Sequence, residues 1–211
     1  MKILCRNVGL IATNCYLVVG EKGRGVVIDP GDDAAGIFEW IRAEGAEIEY
    51  IFLTHGHFDH VLAAPELKKL TGTRIVINKE DENGLSSSRY PFRARGKGAL
   101  EKADVLVADG SVILCGGIEF KFMHTPGHTL GGMTIMAGDA LFTGDTLFAG
   151  ECGRCDLEGG DYGTMLRSLR KISELEGDFD VYPGHGPFSR LSYERANNKY
   201  MLLALNDENL S

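Results

Sequence analysis

Leu53-Thr54-His55-Gly56-His57-Phe58-Asp59-His60 places three imidazoles and a carboxylate within six residues. The octet follows an apolar run at 50–53 and precedes a stretch, 62–71, in which apolar residues recur three or four apart. It therefore occupies the turn where a strand hands over to a helix. Residues two apart in an extended segment point to the same side, so His55 and His57 face together, with Asp59 and His60 following as the chain turns. Such a concentration of polar rings is costly to bury unpaired. It suits a borderline cation such as Zn²⁺, which takes nitrogen and oxygen ligands.

Working outward, three further residues repeat the pattern. His128 lies in Thr125-Pro126-Gly127-His128-Thr129, Asp145 in Thr143-Gly144-Asp145-Thr146 and His185 in Pro183-Gly184-His185-Gly186, each directly after a strand-like run. Taken singly, a turn histidine reads as a hydrogen-bonded surface group and a Gly-Asp-Thr aspartate as a local cap. Taken with the octet, all seven metal-compatible side chains fall at strand exits, where α/β sheets carry their functional groups. A metal centre of His55, His57, Asp59, His60, His128, Asp145 and His185 is the reading. His124 lies at the end of a strand-like run and is assigned a structural role or one supporting the ligands from behind.

The runs at 16–19, 25–28, 50–53 and 74–77 are short, rich in Val and Ile and punctuated by Gly, as buried strands are. Helical spacing appears at 34–44, 62–71, 162–175 and 193–205, with Asp161 and Ser192 as N-caps of the last two. Between these lie four strand-like segments, 111–114, 118–123, 132–136 and 140–143, with no helix among them. A βα half, a meander and a second βα half predict an α/β fold of two packed sheets with helices outside, a four-layer αββα sandwich. The stretch 84–102 is irregular and locally basic. It reads either as a solvated loop or as a substrate-facing one, in which Arg89, Arg93, Arg95 and Lys97 would flank the site mouth.

With 211 residues, 44% hydrophobic, the chain suffices for one domain over 1–211. A net charge of −8 offers no general attraction to nucleic acid or to an anionic membrane, so a small-molecule substrate is expected. The first twenty residues contain no apolar stretch long enough for a signal peptide or a span, which points to the cytoplasm. Five cysteines, an odd count, read as reduced thiols. Cys152 and Cys155 form a Cys-x-x-Cys that cannot close a tetrahedral zinc site alone, and oxidation is expected to link them.

These motifs, together with Thr13-Asn14-Cys15-Tyr16, Ile28-Asp29-Pro30-Gly31, Gly153-Arg154-Cys155-Asp156 and Tyr193-Glu194-Arg195-Ala196-Asn197-Asn198-Lys199-Tyr200, resemble the metallo-β-lactamase superfamily over nearly the whole chain. Within it they resemble short glyoxalase II-like hydrolases (hydroxyacylglutathione hydrolases). The resemblance implies the metallo-β-lactamase fold and two divalent ions, Zn²⁺ first, with Fe or Mn as alternatives. His55, His57 and His128 would hold one ion, Asp59, His60 and His185 the second, and Asp145 would bridge them. Asp29 would orient the ligands, and Arg154 would pair with Asp156 beside the substrate. It further implies thioester hydrolysis, for example of S-lactoylglutathione, by a hydroxide bridging the two metals, with Asp59 and Asp145 in catalytic roles. No room is foreseen for the separate C-terminal domain with which larger glyoxalase II enzymes hold glutathione. Lys199 stands where that family carries proline, so the last helix is expected to run on. The rival activities on this fold are a persulfide dioxygenase holding one Fe²⁺ on His55, His128 and Asp145, and a lactonase with the same seven ligands.

Overall fold

The computed structural model describes residues 1–86 and 102–207. The chain begins with β1 (Lys2–Val8), β2 (Thr13–Val19), β3 (Arg24–Ile28), α1 (Ala34–Ala43) and β4 (Glu47–Phe52). It continues through a single turn, α2 (Phe58–Val61), then α3 (Ala64–Thr71), β5 (Arg74–Asn78), a 3₁₀ segment Lys79–Leu85 and β6 (Val105–Val107). The meander is β7 (Val112–Cys115), β8 (Ile118–His124), β9 (Met133–Ala137) and β10 (Ala140–Gly144), followed by a small hairpin, β11 (Leu147–Phe148) and β12 (Glu151–Cys152). The chain closes with α4 (Tyr162–Ser173), β13 (Asp180–Pro183), β14 (Ser189–Arg190), α5 (Leu191–Asn197) and α6 (Lys199–Asn206).

The strands form two six-stranded sheets, β1-β2-β3-β4-β5-β6 and β14-β13-β10-β9-β8-β7. Their side chains alternate between two cores, as the pleat requires. Tyr16, Val18, Val26, Ile28, Phe52 and Val76 of the first sheet meet Phe120, Phe122, Ile135 and Phe142 of the second in the central layer. The intervening residues Leu17, Val27, Ile51 and Ile75 turn outward to Ile37 and Ile41 of α1 and Leu67 of α3. On the far side, Leu141 and Val181 pack on Met165, Leu169, Ile172 and Met201 of the C-terminal helices. The four-layer αββα sandwich is thus present, and the continuous apolar runs follow from strands buried on both faces.

Three local expectations need correction. Ser192 does not cap the penultimate helix: α5 starts at Leu191 after Arg190, and the Ser192 N–H and hydroxyl both donate to Asp178 (2.8 and 3.0 Å). Nor does the last helix run on past Lys199. It breaks at Asn198, whose extended backbone (ψ 115°) ends α5 and whose side chain accepts from Tyr200 N–H and Met201 N–H to start α6. In the stretch expected to be irregular, Gly84 and Leu85 belong to the 3₁₀ segment. Arg89, Arg93, Arg95 and Lys97 lie outside the described residues.

β3 to β6 are mutually parallel, as are β10 and β13. Their C-terminal ends, with that of β8, gather at one rim of the sandwich. The rim is laced across the two sheets by Met133 N–H to Thr54 C=O and by Asn14 N–H to Gly184 C=O, both 2.8 Å.

Candidate metal centre

The seven predicted side chains converge on this rim. One group is His55, His57 and His128; a second is Asp59, His60 and His185, the donor atoms in each lying within 4.8 Å of one another. His57 Nδ1 lies 2.8 Å from His128 Nε2, and His60 Nε2 3.2 Å from His185 Nε2. Asp145 sits between the groups, its Oδ1 3.4 Å from His60 Nε2 and its Oδ2 3.4 Å from His128 Nε2 and 3.7 Å from His185 Nε2. Asp59 Oδ2 lies 3.2 Å from His185 Nε2.

The Nδ1 of each buried ring is held by an acceptor, which turns its Nε2 toward the cluster. Thr54 Oγ1 has one proton, which goes to Asp29 Oδ2 at 2.6 Å, so at the 3.1 Å contact with His55 Nδ1 the ring must donate. His60 Nδ1 donates to Asp29 Oδ2 (2.9 Å), and His128 Nδ1 to the Arg154 carbonyl (2.7 Å). Outer hydrogen bonds of this kind fix the tautomer of ligating histidines. Asp29 also accepts from Thr54 N–H (2.8 Å), so it serves the octet rather than its own turn.

Two buried side-chain polar atoms find no hydrogen-bond partner among the described residues: His55 Nε2 and Asp145 Oδ1. Orphaned buried acceptors are expensive, and both belong to this cluster. Gly184 packs directly on the cluster, where a Cβ would come within 2.3 Å of Asp145 Oδ1 and 2.8 Å of His60 Cε1. Imidazole and carboxylate donors without a thiolate, arranged in two adjoining groups, fit divalent ions with coordination positions left for solvent.

Charge divides the rings. Burial, then the neighbouring rings of His60 and His128, drives His55 well below the ordinary histidine range, and burial with His128 lowers His57, so both rings are neutral and offer a lone pair. Burial opposes the charge on His60, but Asp145, Asp29 and Asp59 outweigh it and lift that ring to about 9, so without an ion it is protonated at neutral pH and would have to release its Nε2 proton to ligate one. Burial likewise works against ionised Asp59, yet His185 and His60 hold its carboxyl far below the usual range.

Other predicted residues fall at different distances from the chemistry. Arg154 is exposed and its guanidinium is committed to Asp156 (2.7 and 2.8 Å), while its carbonyl serves His128. His124 Nε2 donates to the Leu130 carbonyl (2.9 Å), outside both groups. Sequence reasoning missed Thr54, Thr13, whose hydroxyl donates to Asp59 Oδ2 (3.2 Å), and Asp81. A cavity of ≈ 300 Å³ opens beside His57, walled by Phe58, Asn83, Leu130, Leu157 and Glu158.

A rim that can hold divalent ions beside a cavity of this size defines a metal-dependent site open to a small molecule. The chain belongs to the metallo-beta-lactamase superfamily, whose sequence pattern matches residues 8–185. It is 33% identical over 197 residues to hydroxyacylglutathione hydrolase GloC of Haemophilus influenzae, covering 89% of this chain and 92% of that one. Among solved structures it superposes on the BLEG-1 B3 metallo-beta-lactamase with a TM-score of 0.88 at 30% identity, covering 95% of this chain and 99% of the other. A second, solved in a di-iron-bound form, gives 0.82 at 31% identity, covering 93% and 99%.

Proposed function

We propose that this chain hydrolyses a small acyl thioester, of which S-lactoylglutathione is the leading candidate, and that it does so with two divalent ions, zinc in the first instance. The observation that carries the dinuclear reading is the completeness of both groups. Asp145, with one orphaned oxygen, stands between a three-histidine set and an Asp59–His60–His185 set. When bound, two ions would activate water and polarise the acyl carbonyl.

The chain's own residues do the rest. Asp29, Thr54 and the Arg154 carbonyl aim the imidazole lone pairs inward. Thr13 holds one oxygen of Asp59, and the cavity beside His57 accepts the acyl or thiol portion against Phe58, Leu130 and Leu157. Water adds to the acyl carbon, the carbon–sulfur bond breaks and the thiolate takes the released proton. A thiolate suits such a site because it leaves readily, its conjugate thiol having a pKa of about 8.5. The kinship with GloC supports the same substrate class.

Metal content and turnover of the His60→Ala variant test the reading. Metal should fall from two per chain toward one, and thiol release from S-lactoylglutathione should fall more than about 100-fold, because a dinuclear site loses half its clamp. An unmutated protein that holds one iron, consumes O₂ with glutathione persulfide and releases no thiol from thioesters would establish the dioxygenase instead. Turnover of lactones in place of thioesters would establish the lactonase.

A further inference from the structure

Asp81 lies in the 3₁₀ segment Lys79–Leu85, within Lys79-Glu80-Asp81-Glu82, which in sequence looks like a solvated acidic run. Its side chain is buried, and its carboxylate accepts three hydrogen bonds. Oδ2 receives Gly56 N–H at 3.0 Å and Thr129 Oγ1–H at 2.6 Å; Oδ1 receives Gly131 N–H at 2.9 Å. Gly56 is the residue between His55 and His57, and Thr129 directly follows His128. One carboxylate therefore closes both loops that carry the three-histidine group, although it touches none of the three rings.

The contacts leave no slack. A Cβ on Gly131 would lie 2.7 Å from Asp81 Cγ, and one on Gly84, three residues beyond Asp81, would lie 2.0 Å from the Gly56 carbonyl. The His55–His57 turn is thus seated against the 3₁₀ segment, and the His128 loop is drawn to the same point. Asp29 does comparable work in a different place, binding Thr54 and His60.

We propose that Asp81 is a positioning residue that sets the spacing of His55 and His57 against His128, and so tunes the affinity of the three-histidine group for its ion without changing the other group. This rests on the metal-centre reading above. An amide cannot substitute for the carboxylate. In Asp81→Asn one terminal atom becomes a donor, so either Gly56 N–H or Gly131 N–H meets another N–H and the loop it belongs to moves.

The test is zinc affinity by competition with a chromophoric chelator in two backgrounds. His60→Ala leaves the three-histidine group intact, and His57→Ala leaves the Asp59–His60–His185 group intact. Adding Asp81→Asn should weaken zinc binding about 10–100-fold in the first background and less than about 3-fold in the second. Equal weakening in both, which general loosening of the fold would give, overturns the proposal, as does no change in either. If Asp81→Asn does not fold, Thr129→Val, which removes one of the three hydrogen bonds, must show the same selectivity at smaller amplitude; a non-selective result overturns the proposal equally. Failure of the unmutated protein to bind zinc would overturn the metal-centre reading itself, and this inference with it.

Discussion

Asp29 adopts a left-handed backbone, φ +51°, while buried at the rim. For a non-glycine residue that conformation costs about 1–2 kcal/mol, offset by three hydrogen bonds to Thr54 and His60 that only an aspartate side chain placed there can accept. The residues around the centre are specified in this way, one proton at a time. The same accounting decides what Cys152 and Cys155 do. Burial pushes the Cys152 thiol up to about 12 and raises that of Cys155, so neither is a thiolate at neutral pH, and a ready disulfide switch is not expected. In the folded protein both should therefore resist alkylation by iodoacetamide at pH 7.5, reacting at least about ten times more slowly than the same thiols in urea, followed by mass spectrometry. Rapid modification of either, or mild oxidation that links them, would reinstate the switch. At this scale the clustering of the seven side chains was legible because three imidazoles beside a carboxylate have few cheap structural uses. Asp81 was not legible, because an aspartate among Glu80 and Glu82 advertises solvent, and nothing local reveals that Gly56, Thr129 and Gly131 donate to it.

Among the elements, those with a clear period were readable and those made by distant partners were not. β2 and β3 announce themselves through unbroken apolar runs. β1 is largely exposed and interrupted by Arg6 and Asn7, and it exists because all seven of its residues pair with β2. The split of the final helix depends on contacts equally remote in sequence. Buried Glu194 accepts from Gly150 N–H, Ser189 and Asn198, and Asn198 also donates to the Glu151 carbonyl (3.0 Å). Arg195 meanwhile caps the carbonyls of Ser173, Leu175 and Gly177 after α4. The start of α5 is pinned by Asp178. Its carboxyl is held down to about 2 by the Ser192 N–H, with Arg190 and the Ser192 hydroxyl adding to it. Because the folded value lies below the unfolded one of about 3.9, this contribution to stability is fully present above pH 4 and is lost as the pH falls toward 2. In chelator-treated protein, Asp178→Asn should lower Tm at pH 6 and lower it clearly less near pH 2.5. A Tm difference between variant and wild type that is the same at both pH values would contradict the assignment.

For the whole molecule, the rim draws His55, His57, Asp59 and His60 from the first sheet's connections and His128, Asp145 and His185 from the second's. Bound ions would therefore cross-link the two halves. The sandwich does not depend on them for cohesion, because Tyr16, Ile28 and Phe52 already pack on Phe120, Phe122 and Phe142, and the rim carries its own hydrogen bonds between the sheets. Thorough chelation should accordingly leave the far-UV circular dichroism unchanged while lowering Tm. An ion held at 1,000 times its Kd stabilises the folded state by about 4 kcal/mol, which in a chain of this length corresponds to roughly 8–16 °C. The loss should reverse on adding zinc, with Tm rising with its free concentration. A chain that unfolds outright in chelator would place the metals among the structural kind, as in zinc fingers. A Tm indifferent to zinc would mean that His55 Nε2 and Asp145 Oδ1 are orphaned for some reason other than an ion. Retained structure with a metal-dependent Tm is the outcome that an open catalytic centre on a self-sufficient scaffold requires, since its coordination positions are left for water and substrate rather than spent on holding the fold.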